Sequence, residues 1–263
     1  MAKEVFGTKE WASSNFNIQT GCEHNCKYCY ARSKCPRHGK TTVSGWDTPK
    51  AIPESLENKF GKRSGTIMFP TTHDITPRNT FACLDALLKM LRAGNKVLVV
   101  SKPHIECVSK IVKLCADYKS QILFRFTIGS ANDEVLKFWE PGAPSFHERL
   151  ASLKMAFEAG YDTSVSCEPM LDDEIGWVIN AAKVYVTDAI WLGKANFLVE
   201  RLKTNGEYDT ATARRAAQII EWQSDDHIRL LYTLYKKNSM IKWKESVKKV
   251  VGLKVPTRAG LDI

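Results

Sequence analysis

Short apolar runs rich in β-branched residues alternate along the chain with longer segments of helical period. Runs that are apolar on both faces are typical of parallel strands buried between helices. Repeated strand–helix alternation predicts right-handed βαβ units, arranged in an open sheet or a barrel. A shorter run at 16–20 is the predicted first strand and leads into a cysteine-rich loop. The other five runs are residues 66–69, 97–100, 122–128, 163–167 and 189–192.

Helix signals lie between these runs. Thr76 and Pro77 combine an N-cap residue with proline at the first helical position, and Gly94 follows the apolar stripe that they begin. Ser145 and Glu148 have the spacing of a capping box ahead of a second stripe. Weaker helical periodicity covers 104–118 and 173–183.

Beyond about Thr210 the strand-like runs stop, and apolar residues follow helical spacing into a basic, valine-rich segment at 236–253. We therefore predict two units. The first is the strand–helix unit of residues 1–205 with a cysteine loop at 21–41, and the second is a basic helical extension of residues 206–263.

Composition indicates a globular protein, with 44% hydrophobic and 25% charged residues. The first residues lack the apolar segment of a signal peptide, and no apolar run approaches the ~20 residues of a membrane span. We therefore expect a cytoplasmic protein with no membrane partner. Because that compartment keeps thiols reduced, the eight cysteines favour metal binding over disulfides.

The net charge of +9 is unevenly distributed. Residues 229–263 carry nine Lys or Arg against two acids. This balance favours a polyanionic partner such as nucleic acid, although a solvated basic surface would have the same composition. A second basic cluster surrounds the cysteine loop and consists of Lys27, Arg32, Lys34, Arg37 and Lys40.

The strongest chemical signal is the spacing Cys22-x3-Cys26-x2-Cys29. Three thiolates in one short loop can hold three irons of a [4Fe–4S] cluster and leave the fourth iron open to another ligand. Zinc is the alternative, with Cys35, His24 or His38 completing a tetrahedral site. The cysteine spacing is unlike the paired knuckles of common zinc sites.

This motif, with Tyr28 just before its last cysteine, resembles that of the radical S-adenosylmethionine (radical SAM) superfamily. The likeness extends, in order, to stretches of its spore photoproduct lyase-like branch. These are GCEHNCKYCYAR at 21–32, FPTTHDITP at 69–77, VLVVSKP at 97–103, EPGAPSFHERL at 140–150 and EAGYDTSVSCEPMLDD at 158–173.

The resemblance implies an α/β fold, a partial (β/α)6 barrel, with the cluster and SAM at the carboxyl ends of the strands. It implies that one electron from the cluster cleaves SAM to a 5′-deoxyadenosyl radical, which abstracts hydrogen from a substrate. An external one-electron reductant of the flavodoxin or ferredoxin type would supply that electron.

The resemblance also assigns individual residues to the SAM site. Tyr28 would lie beside the adenine and Lys102 near the SAM carboxylate, while Ser130 or Thr127 would meet the ribose. Asp74 matches an acid of the family pattern and would face the site. The alternatives from the residues alone are a packing role for Tyr28, a surface position for Lys102 and a helix-capping or turn role for Asp74.

One departure from the lyase is clear. The lyase carries a hydrogen-donating cysteine in the loop after its second strand, and residues 69–74 here contain none. This difference argues against thymine-dimer repair itself. Cys167 could be a donor in a new position with Glu168 as a SAM or substrate contact, or it could be a small buried hydrophobe. Cys35 could be a free thiol or an auxiliary ligand.

Three functions therefore remain open. The first is a radical SAM enzyme acting on a nucleic-acid base or nucleoside, such as thymine. Tyr232, Tyr235 and Trp243, which lie among the C-terminal lysines, would suit base stacking unless they belong to the core. The second is a radical SAM enzyme acting on a peptide or small metabolite. The third is a non-catalytic zinc-binding module.

Overall fold

Seven parallel strands form the main sheet of the protein, whose computed structural model describes residues 4–38 and 42–261. The sheet order is β1-β4-β5-β6-β7-β8-β9, and β2 pairs with β3 in a separate antiparallel ribbon. The strands are β1 (Ser14–Asn15), β2 (Gln19–Thr20), β3 (Lys50–Ala51), β4 (Thr66–Phe69), β5 (Lys96–Ser101), β6 (Ile122–Thr127), β7 (Asp162–Cys167), β8 (Ile190–Leu192) and β9 (Ile241–Trp243).

Helices follow most strands, as expected for βαβ units. They are α1 (Tyr30–His38), α2 (Pro53–Leu56), α3 (Thr80–Arg92), α4 (Ile105–Leu114), α5 (Asp133–Trp139), α6 (Phe146–Glu158), α7 (Ile175–Ala182), α8 (Leu198–Thr204), α9 (Thr210–Trp222), α10 (Asp225–Tyr235) and α11 (Glu245–Val251). Three short 3-10 helices cover Gly7–Glu10, Ala116–Gln121 and Lys183–Tyr185.

The two faces of the sheet are both buried but differ in their partners. Alternate strand residues such as Val99 and Phe124 join the helices in the large apolar core. On the other face, Leu98 and Trp191 pack with Trp11 from the N-terminal segment. The rings of Trp11 and Trp191 meet edge to face, 5.7 Å apart, and the Arg125 guanidinium lies 4.7 Å above Trp11. We call this second face the inner face of the sheet. Side chains fill its middle, so the space for a ligand site is at the ends of the strands.

The five long strand predictions are confirmed to within two residues. The predicted strand at 16–20 is wrong in extent, because the chain leaves the main sheet there. Its N-terminal neighbours Ser14–Asn15 pair with β4, whereas Gln19–Thr20 pairs with β3. Sequence patterning also missed α5 and α8, which contain only seven residues each.

The C-terminal extension contains the predicted helices, and it also contributes a strand to the sheet. Ile241 pairs with Ile190, so β9 extends the parallel sheet beyond β8. Residues 206–263 and 1–205 therefore share one sheet. Within the described part of the chain, no helix combines the length and apolar character needed to cross a bilayer.

Candidate functional site

The three motif cysteines lie in a tight loop between β2 and α1. Cys22 and Cys26 are buried, and Cys29 is partly exposed. Backbone hydrogen bonds fold the loop, since Asn25 N–H donates to Cys22 C=O at 3.2 Å and Cys29 N–H donates to Cys26 C=O at 3.1 Å. Gly21 enters the loop with a φ of +94°, and a Cβ there would lie 2.7 Å from the Trp46 carbonyl oxygen. Only glycine suits this entry.

The thiols suit a metal cluster better than free cysteines. Burial raises the pKa of each of the three thiols, so their ionised form needs a positively charged partner such as iron. None of the three is in a disulfide, and the Arg32 N–H donates to Cys29 Sγ at 3.4 Å. Such a loop can hold three irons of a [4Fe–4S] cluster through its thiolates.

A closed zinc site is not formed by these cysteines in the described ranges. Ligands of one tetrahedral zinc ion lie ~2.3 Å from it, which draws their sulfur atoms close together. Among the described residues, only Cys22, His24 and Asp74 bring three ligand atoms within 4.8 Å of one another. Cys35 packs against Trp46 in a small apolar cluster, and the His38 side chain lies outside the described residues.

His24 joins the cysteine loop to two neighbouring strands. Its side chain is fully buried, with Nδ1 2.9 Å from Asp74 Oδ2 and Nε2 2.9 Å from His104 Nε2. Asp74 follows β4, and His104 follows β5. The residue between two cluster cysteines therefore fixes the loop against the carboxyl ends of the sheet.

Asp74 connects the same elements from the other direction. Its Oδ1 accepts hydrogen bonds from Ser101 Oγ at 2.9 Å and from the Lys102 N–H at 2.7 Å. Burial raises the pKa of Asp74, but the charges of Lys102 and His24 outweigh burial and hold it well below its usual range. The predicted site residue Asp74 is thus an ionised anchor beside the cysteine loop.

Lys102 points toward the same place. Its Nζ lies 3.8 Å from Asp74 Oδ2 and 3.9 Å from Glu140 Oε1, and 6.0 Å from the centre of the Tyr28 ring. Burial lowers the pKa of Lys102, but the acidic groups around it, Cys26 first among them, raise it well above its usual range. The structure therefore brings the predicted residues Lys102, Tyr28 and Asp74 together.

Glu140 and Arg149 complete this side of the site, and the sequence analysis did not single them out. Both side chains are fully buried, with Arg149 Nη2 2.5 Å from Glu140 Oε2. Glu140 also accepts a hydrogen bond from the Tyr28 hydroxyl. A signal was present in the stretch 140–150, where an acid precedes proline and an arginine lies nine residues later.

The two predicted ribose contacts differ in their surroundings. Ser130 is fully buried, donates a hydrogen bond to Asp172 and accepts one from the Asn132 N–H at 2.8 Å. Thr127 ends β6 two residues after Arg125, on the inner side of the sheet. Thr127 is therefore the better placed of the two, and its ribose contact stays a prediction.

Glu168 lies at the carboxyl end of β7 and joins a buried lysine. Lys244 Nζ lies 3.3 Å from Glu168 Oε2 and 2.7 Å from Glu10 Oε1. A Cβ at Gly193 would lie 2.9 Å from Lys244 and 3.0 Å from Glu168, so glycine leaves room for both side chains. Glu168 keeps 22% of its side chain exposed and can reach a ligand.

Cys167 is placed away from this group. Its side chain is fully buried in the core between the sheet and the helices, on the same face as Val165. Because strand residues alternate between faces, Cys167 and Glu168 cannot both reach the strand-end site. Of the two alternatives for Cys167, these surroundings favour the small buried hydrophobe, and the donor role stays a prediction.

Arg201, on α8, was missed by the sequence analysis. Leu198 and Leu202 pack in one apolar cluster with Cys26 and Tyr28, and Asn205 Nδ2 donates to Cys29 C=O at 3.0 Å. Helical spacing places Arg201 on this same face. Burial lowers the pKa of Arg201, while Glu168 is the strongest of the acidic neighbours that raise it.

The expected nucleic-acid surface of the C-terminal segment is only partly present. Trp243 is buried and meets the Tyr232 ring edge to face at 5.2 Å, and Tyr235 also packs against the core. Lys244 and Lys248 are buried as well. The three aromatic residues are therefore not a base-stacking surface, because they stabilise the packing of the extension on the sheet.

The basic cluster around the cysteine loop is partly neutralised. Lys27 Nζ and Arg32 Nη1 lie 3.0 Å and 2.8 Å from the two carboxylate oxygens of Glu207. Lys40 and the Arg37 side chain lie outside the described residues. The basic composition of this loop therefore contributes to packing as well as to surface charge.

A three-thiol loop above the carboxyl ends of a parallel α/β sheet defines an iron–sulfur enzyme of the partial-barrel class. Residues 16–174 match the Radical SAM superfamily, and the chain belongs to that superfamily. Its cofactors are a [4Fe–4S] cluster and SAM. Cys22, Cys26 and Cys29 would hold the cluster, which would supply the electron for reductive cleavage of SAM.

Curated relatives come from a virus and an archaeon. The chain is 28% identical over 172 residues to an uncharacterized protein of Acidianus two-tailed virus, covering 61% of this chain and 56% of that protein. It is 25% identical over 174 residues to an uncharacterized protein of Methanocaldococcus jannaschii, covering 64% and 65%. In both cases the match spans less than two thirds of the relative.

Solved structures share the fold. A spore photoproduct lyase complexed with dinucleoside spore photoproduct superposes with a TM-score of 0.54 and 18% identity, covering 79% of this chain and 64% of the lyase. SuiB of Streptococcus suis bound to S-adenosylmethionine gives a TM-score of 0.55 and 12% identity, covering 94% and 54%. At these identities the likeness concerns the fold alone.

Proposed function

We propose that this radical SAM enzyme abstracts hydrogen from a base of a nucleic acid or nucleotide, and thereby modifies it. The observation that carries this proposal is the half-buried guanidinium of Arg201 beside the cysteine loop. Across residues 4–38 and 42–261 this guanidinium makes no hydrogen bond or ion pair. A guanidinium in that condition suits the phosphate of a ligand, which it can bind with two parallel hydrogen bonds.

The loop after β4 supports modification over photoproduct repair. Thr71 occupies this loop, where the lyase resemblance leads us to expect a cysteine. Its N–H donates to Asn17 Oδ1 at 2.7 Å, and its carbonyl accepts from the Tyr30 hydroxyl at 2.5 Å. The Thr71 hydroxyl accepts a hydrogen bond from Asn17 Nδ2 at 2.8 Å, and a hydroxyl is a poor replacement for a hydrogen-donating thiol.

Two further observations agree with a nucleotide substrate. The chain has a net charge of +9, and a structural neighbour was solved with a dinucleoside ligand. Thymine is our example of a target base. We also propose an external one-electron carrier of the flavodoxin or ferredoxin type, and a cytoplasmic setting, in which the eight unpaired cysteines would stay reduced.

Deuterium transfer tests the substrate class. The reconstituted enzyme is incubated without oxygen with SAM, dithionite and DNA that carries deuterium on its bases. We expect deuterium in the 5′-deoxyadenosine and a mass change in the DNA. If DNA is neither bound nor altered, while a short peptide library supplies hydrogen to 5′-deoxyadenosine, then the peptide alternative replaces our proposal.

A further inference from the structure

The segment from Trp139 to Pro144 is bound directly to the cysteine loop. Lys27 N–H donates to Trp139 C=O at 2.9 Å, and Gly142 N–H donates to His24 C=O at 3.1 Å. A Cβ at Gly142 would lie 2.2 Å from the Glu23 carbonyl oxygen, so only glycine permits this approach. Glu140 lies between these two attachments, and its backbone is therefore fixed relative to the cysteines.

The Glu140 carboxylate is fully buried, and its two oxygens contact different side chains. Oε1 accepts the hydrogen bond of the Tyr28 hydroxyl and lies 3.9 Å from Lys102 Nζ. Oε2 faces Arg149 at 2.5 Å. Arg149 is held in turn by Pro144 C=O at 2.8 Å and Thr127 C=O at 3.2 Å. This one carboxylate therefore joins the cysteine loop, β5, β6 and α6.

The Lys102 ammonium lies between two carboxylates and forms a hydrogen bond with neither. The distances of 3.8 Å to Asp74 and 3.9 Å to Glu140 are longer than those of hydrogen bonds. The two acids therefore keep the ammonium charged and centred, while its N–H donors remain able to meet an incoming carboxylate. The hydroxyl of Tyr28 is bound by Glu140 as well, and its ring lies next to the ammonium.

We propose that Glu140 is the positioning residue of the SAM site, which fixes the Tyr28 ring and shares the Lys102 ammonium with Asp74. This inference rests on the cofactor of the superfamily and is independent of the proposed nucleic-acid substrate. Buried charges in such an arrangement are oriented before the ligand arrives, so binding needs little reorganisation.

The first test measures SAM affinity in the reconstituted protein by calorimetry, with Glu140→Gln and Tyr28→Phe alone and combined. Glu140→Gln is expected to weaken SAM binding about 10- to 100-fold, as for loss of a charged hydrogen-bond partner. The same change made in the Tyr28→Phe background is expected to weaken it less, because Glu140 acts through Tyr28. Unchanged affinity, or strictly additive effects, would overturn the proposal.

A second set of variants separates positioning from folding. Glu140→Gln leaves Arg149 without its buried partner, so Glu140→Gln combined with Arg149→Met removes both charges together. Should neither protein assemble its cluster, Glu140→Asp keeps the charge and withdraws it from Tyr28. The iron content and the electron paramagnetic resonance signal of the reduced cluster are expected to be those of wild type without SAM. The change that SAM causes in this signal is expected to be lost or to need higher SAM.

The control is a second ion pair on the same sheet, between the fully buried Arg125 and the partly exposed Asp188. Arg125 Nη2 lies 2.8 Å from Asp188 Oδ2, away from the cysteine loop. Asp188→Asn is expected to lower the melting temperature and leave SAM affinity unchanged. Equal losses of SAM affinity in Asp188→Asn and in the Glu140 variants would show a general effect on folding and contradict the assigned role.

Discussion

The two sides of the strand-end site differ in how their charges are partnered. On the side of β4, β5 and β6, Asp74, Lys102 and Glu140 each contact at least one opposite charge. On the side of β7 and α8, Glu168 contacts Lys244 but stays partly exposed, and the Arg201 guanidinium, although Glu168 is near it, makes no hydrogen bond or ion pair within the described ranges. We call the first the interlocked side, because its charged groups are paired with one another. We call the second the open side, because its guanidinium can still bind an anionic ligand.

This difference agrees with the ligand that we propose for each side. A cofactor of constant structure is best met by groups that are already held in place. A substrate whose anionic group must enter and leave is better met by a cation that is free to exchange partners. We therefore assign the interlocked side to SAM and the Arg201 side to the proposed substrate.

The largest expected effect is a loss of unfolding free energy in acid, which arises in the loop after β4 on the interlocked side. His73 accepts a hydrogen bond from the Ile18 N–H at 3.2 Å, and its Nδ1 donates to the Asp74 carbonyl at 3.0 Å. Burial lowers the pKa of His73 to about 4. In the unfolded chain this histidine takes up a proton near pH 6.5, whereas in the folded protein it stays neutral down to about pH 4. The free energy of unfolding therefore has its full value above about pH 6.5 and falls by roughly 3 kcal/mol toward pH 4.

Urea unfolding between pH 7 and pH 4 checks this expectation. His73→Gln should flatten the loss of unfolding free energy with falling pH, whereas His227→Gln, which changes an exposed histidine, should leave it intact. An identical pH dependence in wild type and His73→Gln would show that the loop after β4 is not the acid-sensitive part.

The next effect concerns the cation of the interlocked side. Lys102→Met keeps the apolar stem and removes the ammonium, so SAM affinity should fall about 30-fold, or about 2 kcal/mol. Lys110→Met on α4, whose side chain is partly exposed and 3.9 Å from Glu106, is the matched control and should have no effect. Calorimetry of the reconstituted proteins measures both, and full affinity in Lys102→Met would break the comparison.

A smaller effect is expected on the open side. Arg201→Gln should weaken binding of a single-stranded oligonucleotide about tenfold and reduce its salt dependence by the equivalent of roughly one phosphate contact. SAM affinity should be unchanged. Fluorescence anisotropy at several salt concentrations provides the measurement, and Lys154→Gln, whose half-exposed lysine pairs with Glu158, is the control. Loss of SAM affinity with normal oligonucleotide binding would reverse our assignment of the two sides.

The smallest effect is expected at Cys167. Replacement by alanine removes one buried sulfur atom from the core, which should cost about 1 kcal/mol of unfolding free energy. The rate of 5′-deoxyadenosine formation and the product distribution should not change, because the thiol faces the helices. A new radical-derived by-product in Cys167→Ala would restore Cys167 as a hydrogen donor.

The interlocked side was largely predictable from the sequence. The cysteine spacing and Lys102 lie in local motifs that follow predicted strands, and local spacing is what a sequence displays directly. Glu140 and Arg149 were missed because their roles come from contacts with distant segments. The Tyr28 hydroxyl that Glu140 binds is 112 positions away in the chain.

The open side was less predictable. Cys167 was assigned a possible role by its position at a strand end, but the facing of a strand is set by sheet register. Arg201 lies on a helix of seven residues with little periodic signal. In the sequence, Lys244 contributed only to the basic composition of the C-terminal segment. In the structure it is fully buried against Glu10, which lies near the other end of the chain.

The most direct test of the account is 5′-deoxyadenosine formation by the reconstituted protein with SAM and dithionite in the absence of oxygen. Wild type should bind about four irons per chain and form the product. Cys22→Ala, Cys26→Ala and Cys29→Ala should each abolish it. A wild-type protein that assembles its cluster and binds SAM but forms no 5′-deoxyadenosine would contradict the central claim, as would a cysteine variant that keeps full activity.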